Sequence, residues 1–95
     1  MMEARDFVLK ARIDIQTLDA WLEASWLRPL RNDDGPYYSE IDLARAHLIA
    51  DLKHLGINDE GVPVILDLVD QVHGLRRALR ELLSTVKAEQ RGPGA

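Results

Sequence analysis

Apolar residues recur at helical spacing in four stretches of this chain, and one interval between them alternates instead. Over residues 3–11, Phe7, Val8 and Ala11 share a face, with Glu3 and Asp6 near the end where the helix dipole favours acids. Asp14 then has the chemistry of an N-cap, its carboxylate able to accept from the backbone N–H of residue 16 or 17. The stripe Ile15, Leu18, Trp21 and Leu22 predicts a second helix over residues 14–24, leaving Gln16, Asp19, Ala20 and Glu23 exposed. Two short helices joined at Arg12 and Ile13 make a helix-turn-helix.

Trp26 to Tyr38 breaks that period. Leu27-Arg28-Pro29-Leu30-Arg31, then Asn32-Asp33-Asp34-Gly35, then Pro36-Tyr37-Tyr38 reads as strand, turn, strand, with Asp-Gly tolerating positive φ at the tip. Pro29 and Pro36 each lack a donor, which confines such strands to an edge. A hairpin of this size is marginal alone and must pack on helices, so it is a wing.

Ser39 and Asp42 form a capping-box signature. The third helix it opens runs to about His54, and its spacing predicts that Ile41, Ala44, Leu48, Leu52 and Leu55 are buried. Gly56 suits a left-handed C-cap. Asn58 can cap the last helix and Pro63 suits its first turn, so the start falls between 58 and 63. In that helix Ile65, Leu68, Val72, Leu75, Leu79, Leu82 and Val86 step by three and four, an unbroken heptad seam flanked by Val69 and Leu83. Gly74 interrupts its helix propensity, either for close helix approach or as a tolerated cost. The expected organisation is one mainly α winged helix-turn-helix domain over residues 1–90. Its long terminal helix covers about residues 60–88, and residues 91–95 form a flexible tail.

Charge changes this picture more than composition does. Ninety-five residues suit one small domain, and a net charge of −4 argues against general binding to nucleic acid or anionic membranes. The second helix carries Asp14, Asp19 and Glu23 and no base, where a DNA reader needs lysine or arginine for phosphates. Residues 57–70 carry Asp59, Glu60, Asp67 and Asp70, also without a base. Residues 75–91 hold Arg76, Arg77, Arg80, Lys87 and Arg91 against Glu81 and Glu89. The bland account of any one such run is a solvated helix face.

The chain has no cysteine, which removes disulfides, thiol catalysis and cysteine-ligated zinc. No apolar run approaches the roughly 18 residues that span a bilayer, and there is no signal-peptide core, so a soluble cytoplasmic protein is expected. His47, His54 and His73 are isolated from second metal ligands. Reading Asn32-Asp33-Asp34-Gly35 as a calcium loop would put Leu30 and Ile41 at its end ligand positions, and the match fails. Neither a phosphate-binding glycine loop nor a catalytic carboxylate pair stands out. No enzyme activity, cofactor or metal is expected.

The order of elements resembles the MerR-like winged-helix domains. The matching residues are Ile13-x-Ile15-x-Thr17-Leu18, Leu27-x-Pro29, Gly35 through Tyr38 before Ser39, and Leu55-Gly56-Ile57. DNA-binding members usually carry arginine directly after the helix-2 leucine and between the wing glycine and its tyrosine. Here those positions hold Asp19, Pro36 and Tyr37. The chain is similar to the acidic chaperone-modulator branch, the CbpM family, through Gly61-Val62-Pro63-Val64-Ile65-Leu66-Asp67-Leu68-Val69-Asp70-Gln71-Val72 and the following Leu75-Arg76-Arg77-Ala78-Leu79.

That resemblance implies a bacterial protein that binds the J-domain of a DnaJ-like co-chaperone, CbpA, and blocks its stimulation of the Hsp70 chaperone DnaK. J-domains present a basic helix, so acids should steer the encounter while apolar anchors supply affinity. Asp67 and Asp70, three apart and beside the seam, are the favoured contacts, with Asp59 and Glu60, then Asp19 and Glu23 on the second helix. Leu68, Val72, Leu75, Leu79, Leu82 and Val86 are expected to form a homodimer seam, unless the stripe folds back as core. The competing reading is a MerR-type transcription regulator using Arg28 and Arg31 on the wing and Arg5, Lys10 and Arg12 near the first helix.

Overall fold

The computed structural model describes residues 1–90, so the tail expected over residues 91–95 lies outside the described residues. Its elements are α1 (Ala4–Ala11), α2 (Ile15–Glu23), β1 (Leu30–Asn32), β2 (Gly35–Tyr37), α3 (Glu40–His54) and α4 (Gly61–Gln90). The fold is the expected mainly helical one, a helix-turn-helix with a two-stranded antiparallel wing and a 30-residue last helix. Two compact units divide it: Met1–Pro63, and the course of α4 from Val64 onward.

Local chemistry sets where the helices start. Asp14 accepts from the Thr17 N–H at 2.7 Å. Asp42 proves long enough for the capping box. The Ser39 N–H donates to its Oδ2 at 2.8 Å, and the Asp42 N–H donates to Ser39 Oγ at 3.3 Å. Asn58 Oδ1 accepts from the Gly61 N–H at 2.8 Å, which leaves Asp59 and Glu60 in the turn that opens α4, where acids suit the helix dipole.

The first three helices end by one device. Arg12, Ser25 and Gly56 take left-handed backbone with φ of 59°, 62° and 88°. After each, the next N–H reaches back over the last turn: Ile13 to Val8 O at 3.2 Å, Trp26 to Trp21 O at 2.9 Å, Ile57 to Leu52 O at 3.0 Å. These bonds occupy carbonyls that a helix end leaves open and turn the chain sharply. Only Gly56 is marked in the sequence, because glycine alone enters this region without a Cβ clash. At Arg12 and Ser25 the same conformation costs about 1–2 kcal/mol each.

The wing is short. Its register pairs Leu30 with Tyr37, Arg31 with Pro36 and Asn32 with Gly35 around Asp33 and Asp34. The tip's positive φ, 114°, falls on Gly35, and Asn32 Oδ1 accepts from the Asp34 N–H at 2.9 Å. The closing pair of a two-residue hairpin is the hydrogen-bonded one, so Pro36, next along, sits where a missing N–H faces away from β1. Beyond β2 the chain gains a partner that no local pattern announces. The Met2 N–H donates to Tyr38 O at 2.8 Å and the Tyr38 N–H to Met2 O at 2.7 Å. The Tyr38 ring stacks on Phe7 with centroids 4.2 Å apart and planes at 18°.

The core of the first unit gathers Phe7, Leu18, Leu27, Tyr38, Ile49 and Val62, each almost fully buried. Two burial expectations fail. Ile15 is exposed, because it opens α2 directly after its cap and overhangs the core. On α3 the buried residues are Ala46, Ile49 and Leu52, with Leu48 half-buried, whereas Ile41, Ala44 and Leu55 are exposed. Apolar side chains surround this helix, so two stripes fit its period and only packing against α1 selects between them. In α4 the buried residues are Val62 and Leu66, one step off the heptad seam. The seam itself, Leu68, Val72, Leu75, Leu79, Leu82 and Val86, is 39–71% exposed.

Gly56 gives a direct test of the helix terminations. A Cβ there would meet nothing within 4 Å, so Gly56→Ala carries backbone strain alone. The expected loss is about 1 kcal/mol, or roughly 4–8 °C in Tm, read by thermal denaturation. Ser39→Ala should cost a similar amount, about 1 kcal/mol, by opening the capping box.

Candidate functional site

In a helix-turn-helix the second helix and the wing carry recognition, and here both are rigidly mounted. Leu18 and Trp21 anchor α2 from one side, leaving Gln16, Asp19, Ala20, Glu23 and Ala24 in solvent. The loop after it is held by Arg45 on α3, whose Nε donates to Trp26 O at 2.6 Å. Trp26 lies tilted against Trp21 with centroids 6.4 Å apart. The wing joins α1 through Met2 and Phe7, as above.

The charged residues exposed on α2, Asp19 and Glu23, are both acids. The Tyr38 phenol is pushed above its ordinary range by burial first and by Asp42 next, with Arg31 opposing and Asp19 adding. On the wing, Arg28 and Arg31 are exposed, and Arg5, Lys10 and Arg12 are exposed around α1.

The other predicted contacts lie apart from α2 in the sequence and differ among themselves. Asp59 pairs with Lys53, and with Glu60 it occupies the cap turn of α4. Asp67 and Asp70 are exposed on α4, and Asp67 accepts from Gln71 Nε2 at 2.8 Å. Beside them Ile65, Leu68, Val69, Val72 and His73 line a shallow apolar depression of about 220 Å³. Among the described residues, nothing lies within 4 Å of where a Cβ at Gly74 would stand.

His47 Nε2 lies 3.3 Å from Lys10 O, a contact joining α3 to α1. No three His, Asp or Glu side chains among the described residues converge as metal ligands. Among them, too, no helix is long and apolar enough to cross a membrane.

With this geometry in place, the match to known families has a physical meaning. Residues 2–68 match the family described as MerR HTH family regulatory protein. The chain belongs to that family. The matched stretch takes in α1, α2, the wing, α3 and the first turns of α4, which is the whole helix-turn-helix frame. Neither curated proteins nor solved structures match the chain. Within the MerR frame, what the sequence pattern did not show is the pairing of Met2 with Tyr38 and the stacking of Tyr38 on Phe7. Both contacts depend on a pairing across 36 positions of chain, and the only local signal is the aromatic bulk of Phe7 and Tyr38.

Asp14 makes the frame sensitive to acid. Hydrogen bonding from the Thr17 side chain, then from the Thr17 backbone N–H, holds its carboxyl below the ordinary value of 3.8. A carboxyl depressed in the folded state stabilises it above the unfolded value, and that contribution is lost as pH falls through the folded one. Stability should therefore drop as pH is lowered below 3.8, and Asp14→Asn should remove that share of the slope. Thermal melts of both proteins across the acid range would measure it; identical slopes would refute the capping role.

Proposed function

We propose that this MerR-family chain is a non-enzymatic protein modulator whose DNA-reading frame has been turned to a basic protein surface. The target of best fit is the J-domain of a DnaJ-like, CbpA-like co-chaperone, whose stimulation of the Hsp70 chaperone DnaK it would block by competition. One observation carries the reading. The exposed surface of α2 with its cap holds Asp14, Asp19 and Glu23 and no lysine or arginine. Phosphates would be repelled there, whereas a basic helix would be steered in. Exposed Ile15, in the first turn of the same helix, offers the kind of apolar anchor that supplies affinity. The resemblance of residues 61–79 to the CbpM family supports the same partner. Asp67, Asp70, Asp59 and Glu60 are a second acidic surface for it.

A MerR-type DNA-binding regulator is the second reading. It is favoured by the family match and by exposed Arg28, Arg31, Arg5, Lys10 and Arg12. Calorimetry with a purified J-domain and a gel-shift at low salt separate the two. On the first reading the J-domain binds, J-stimulated ATPase falls, and Asp19→Lys with Glu23→Lys weakens binding. The absence of heat and of any ATPase effect, with a salt-sensitive specific shift of duplex DNA, would transfer the assignment to transcription.

The reading includes a homodimer through α4. Its seam is exposed along the helix, and antiparallel pairing would lay the acidic stretch with Asp67 and Asp70 over the partner's basic stretch with Arg76, Arg77 and Arg80. Because Leu79 is 55% exposed, Leu79→Asp should abolish the dimer without unfolding the first unit. Sedimentation shifting from dimer to monomer, with unchanged circular dichroism, is the expected result. A monomeric parent at tens of micromolar would remove the dimer from the proposal.

A further inference from the structure

The face of the first unit opposite in character to the acidic surface of α2 is a groove of about 700 Å³ between α2 and the C-terminal half of α3. Its α2 side presents Thr17, Ala20 and Ala24, short side chains that leave a low ridge. Trp21 and Trp26 also line it; these are the chain's two tryptophans, tilted against each other and each with slight residual exposure. Ala50, Lys53 and His54 border it from α3, and Arg12, Ile13 and Asp59 complete it.

Charge here runs against the rest of the molecule. The chain carries −4 overall, yet Asp59 is the groove's one acid, and its charge is met by Lys53. That leaves the guanidinium of exposed Arg12, held on the rim in left-handed backbone where glycine would fit without strain. The walls are set in advance. Left-handed residues set the start of the loops bearing Arg12 and Trp26, and Arg45 Nε donates to Trp26 O. A groove with aromatic and small apolar residues on its α2 side and charged side chains around them suits helix-in-groove recognition by an amphipathic helix.

We infer that this groove is a second docking surface, which takes an acidic amphipathic helix from a protein partner. Its apolar side chains rest on Trp21, Ala20 and Ala24, and a carboxylate meets Arg12. The surface is independent of the J-domain reading, which needs acids on α2 and α4 and a basic partner.

Both tryptophans report on occupancy, so intrinsic fluorescence of the full chain is the readout. The probes are a synthetic helix with a leucine stripe flanked by glutamates, its lysine-flanked counterpart, and a DNA duplex. The glutamate peptide should shift emission saturably. Arg12→Gly and Ala24→Glu should each weaken its binding by about tenfold or more. Arg12→Gly removes the cation while relieving the backbone, so lost folding would not explain its effect; unchanged melting curves check both variants. The inference is overturned if the glutamate peptide gives no saturable shift, if the lysine peptide or the duplex binds as well, or if both variants bind like the parent. A failed J-domain titration leaves this result unaffected, and the converse holds.

Discussion

The backbone bridge between Met2 and Tyr38, with Phe7 stacked on the Tyr38 ring, is the closure on which the rest of the first unit depends. A wing of two three-residue strands is too small to persist in water. Here its C-terminal end is tied to the start of the chain by two hydrogen bonds, and its exit residue is buried against α1. Ser39 follows at once and caps α3, so the same closure sets where that helix begins. α1 and α3 then pack together, and α2 lies across the remaining apolar surface.

Sharp helix endings make so short a path possible. With eight and nine residues, α1 and α2 are too brief to be stable alone, so each must be stopped and redirected to bring its apolar side inward. Left-handed residues do this at three ends, and two of them are not glycine. The strain is tolerated because the bonds across the last turn and the burial of Trp26 and Leu27 just beyond Ser25 over-determine the conformation. The same rigidity keeps the outer faces of α2 and the groove beside it in fixed relation within the unit, with acid on one side and an exposed cation on the other.

Family membership fixes the frame and leaves the chemistry of its surface open. The MerR frame over residues 2–68 is a scaffold for presenting a helix and a wing. What it presents is a separate property of a few exposed side chains. Asp19 illustrates this: the frame exposes that position on α2, and this chain fills it with an acid.

Much of the frame was legible in the sequence wherever the deciding interaction spans three or four residues. Asp14, Ser39 with Asp42, Gly56 and Asn58 act on backbone groups within reach of their own side chains or φ, and each does what its chemistry predicts. The acidic character of α2 was equally readable, because it follows from which residues are there. Three things only the tertiary structure decided. It selected Ala46, Ile49 and Leu52 over Ile41, Ala44 and Leu55 as the buried face of α3, since periodicity cannot choose between two apolar stripes on one helix. It put Tyr38 against Met2 and Phe7, a contact whose partners are remote in sequence. It also brought Arg12, Trp21, Trp26 and Lys53 around one groove, a surface made by the packing of separate helices and therefore written in no single one of them.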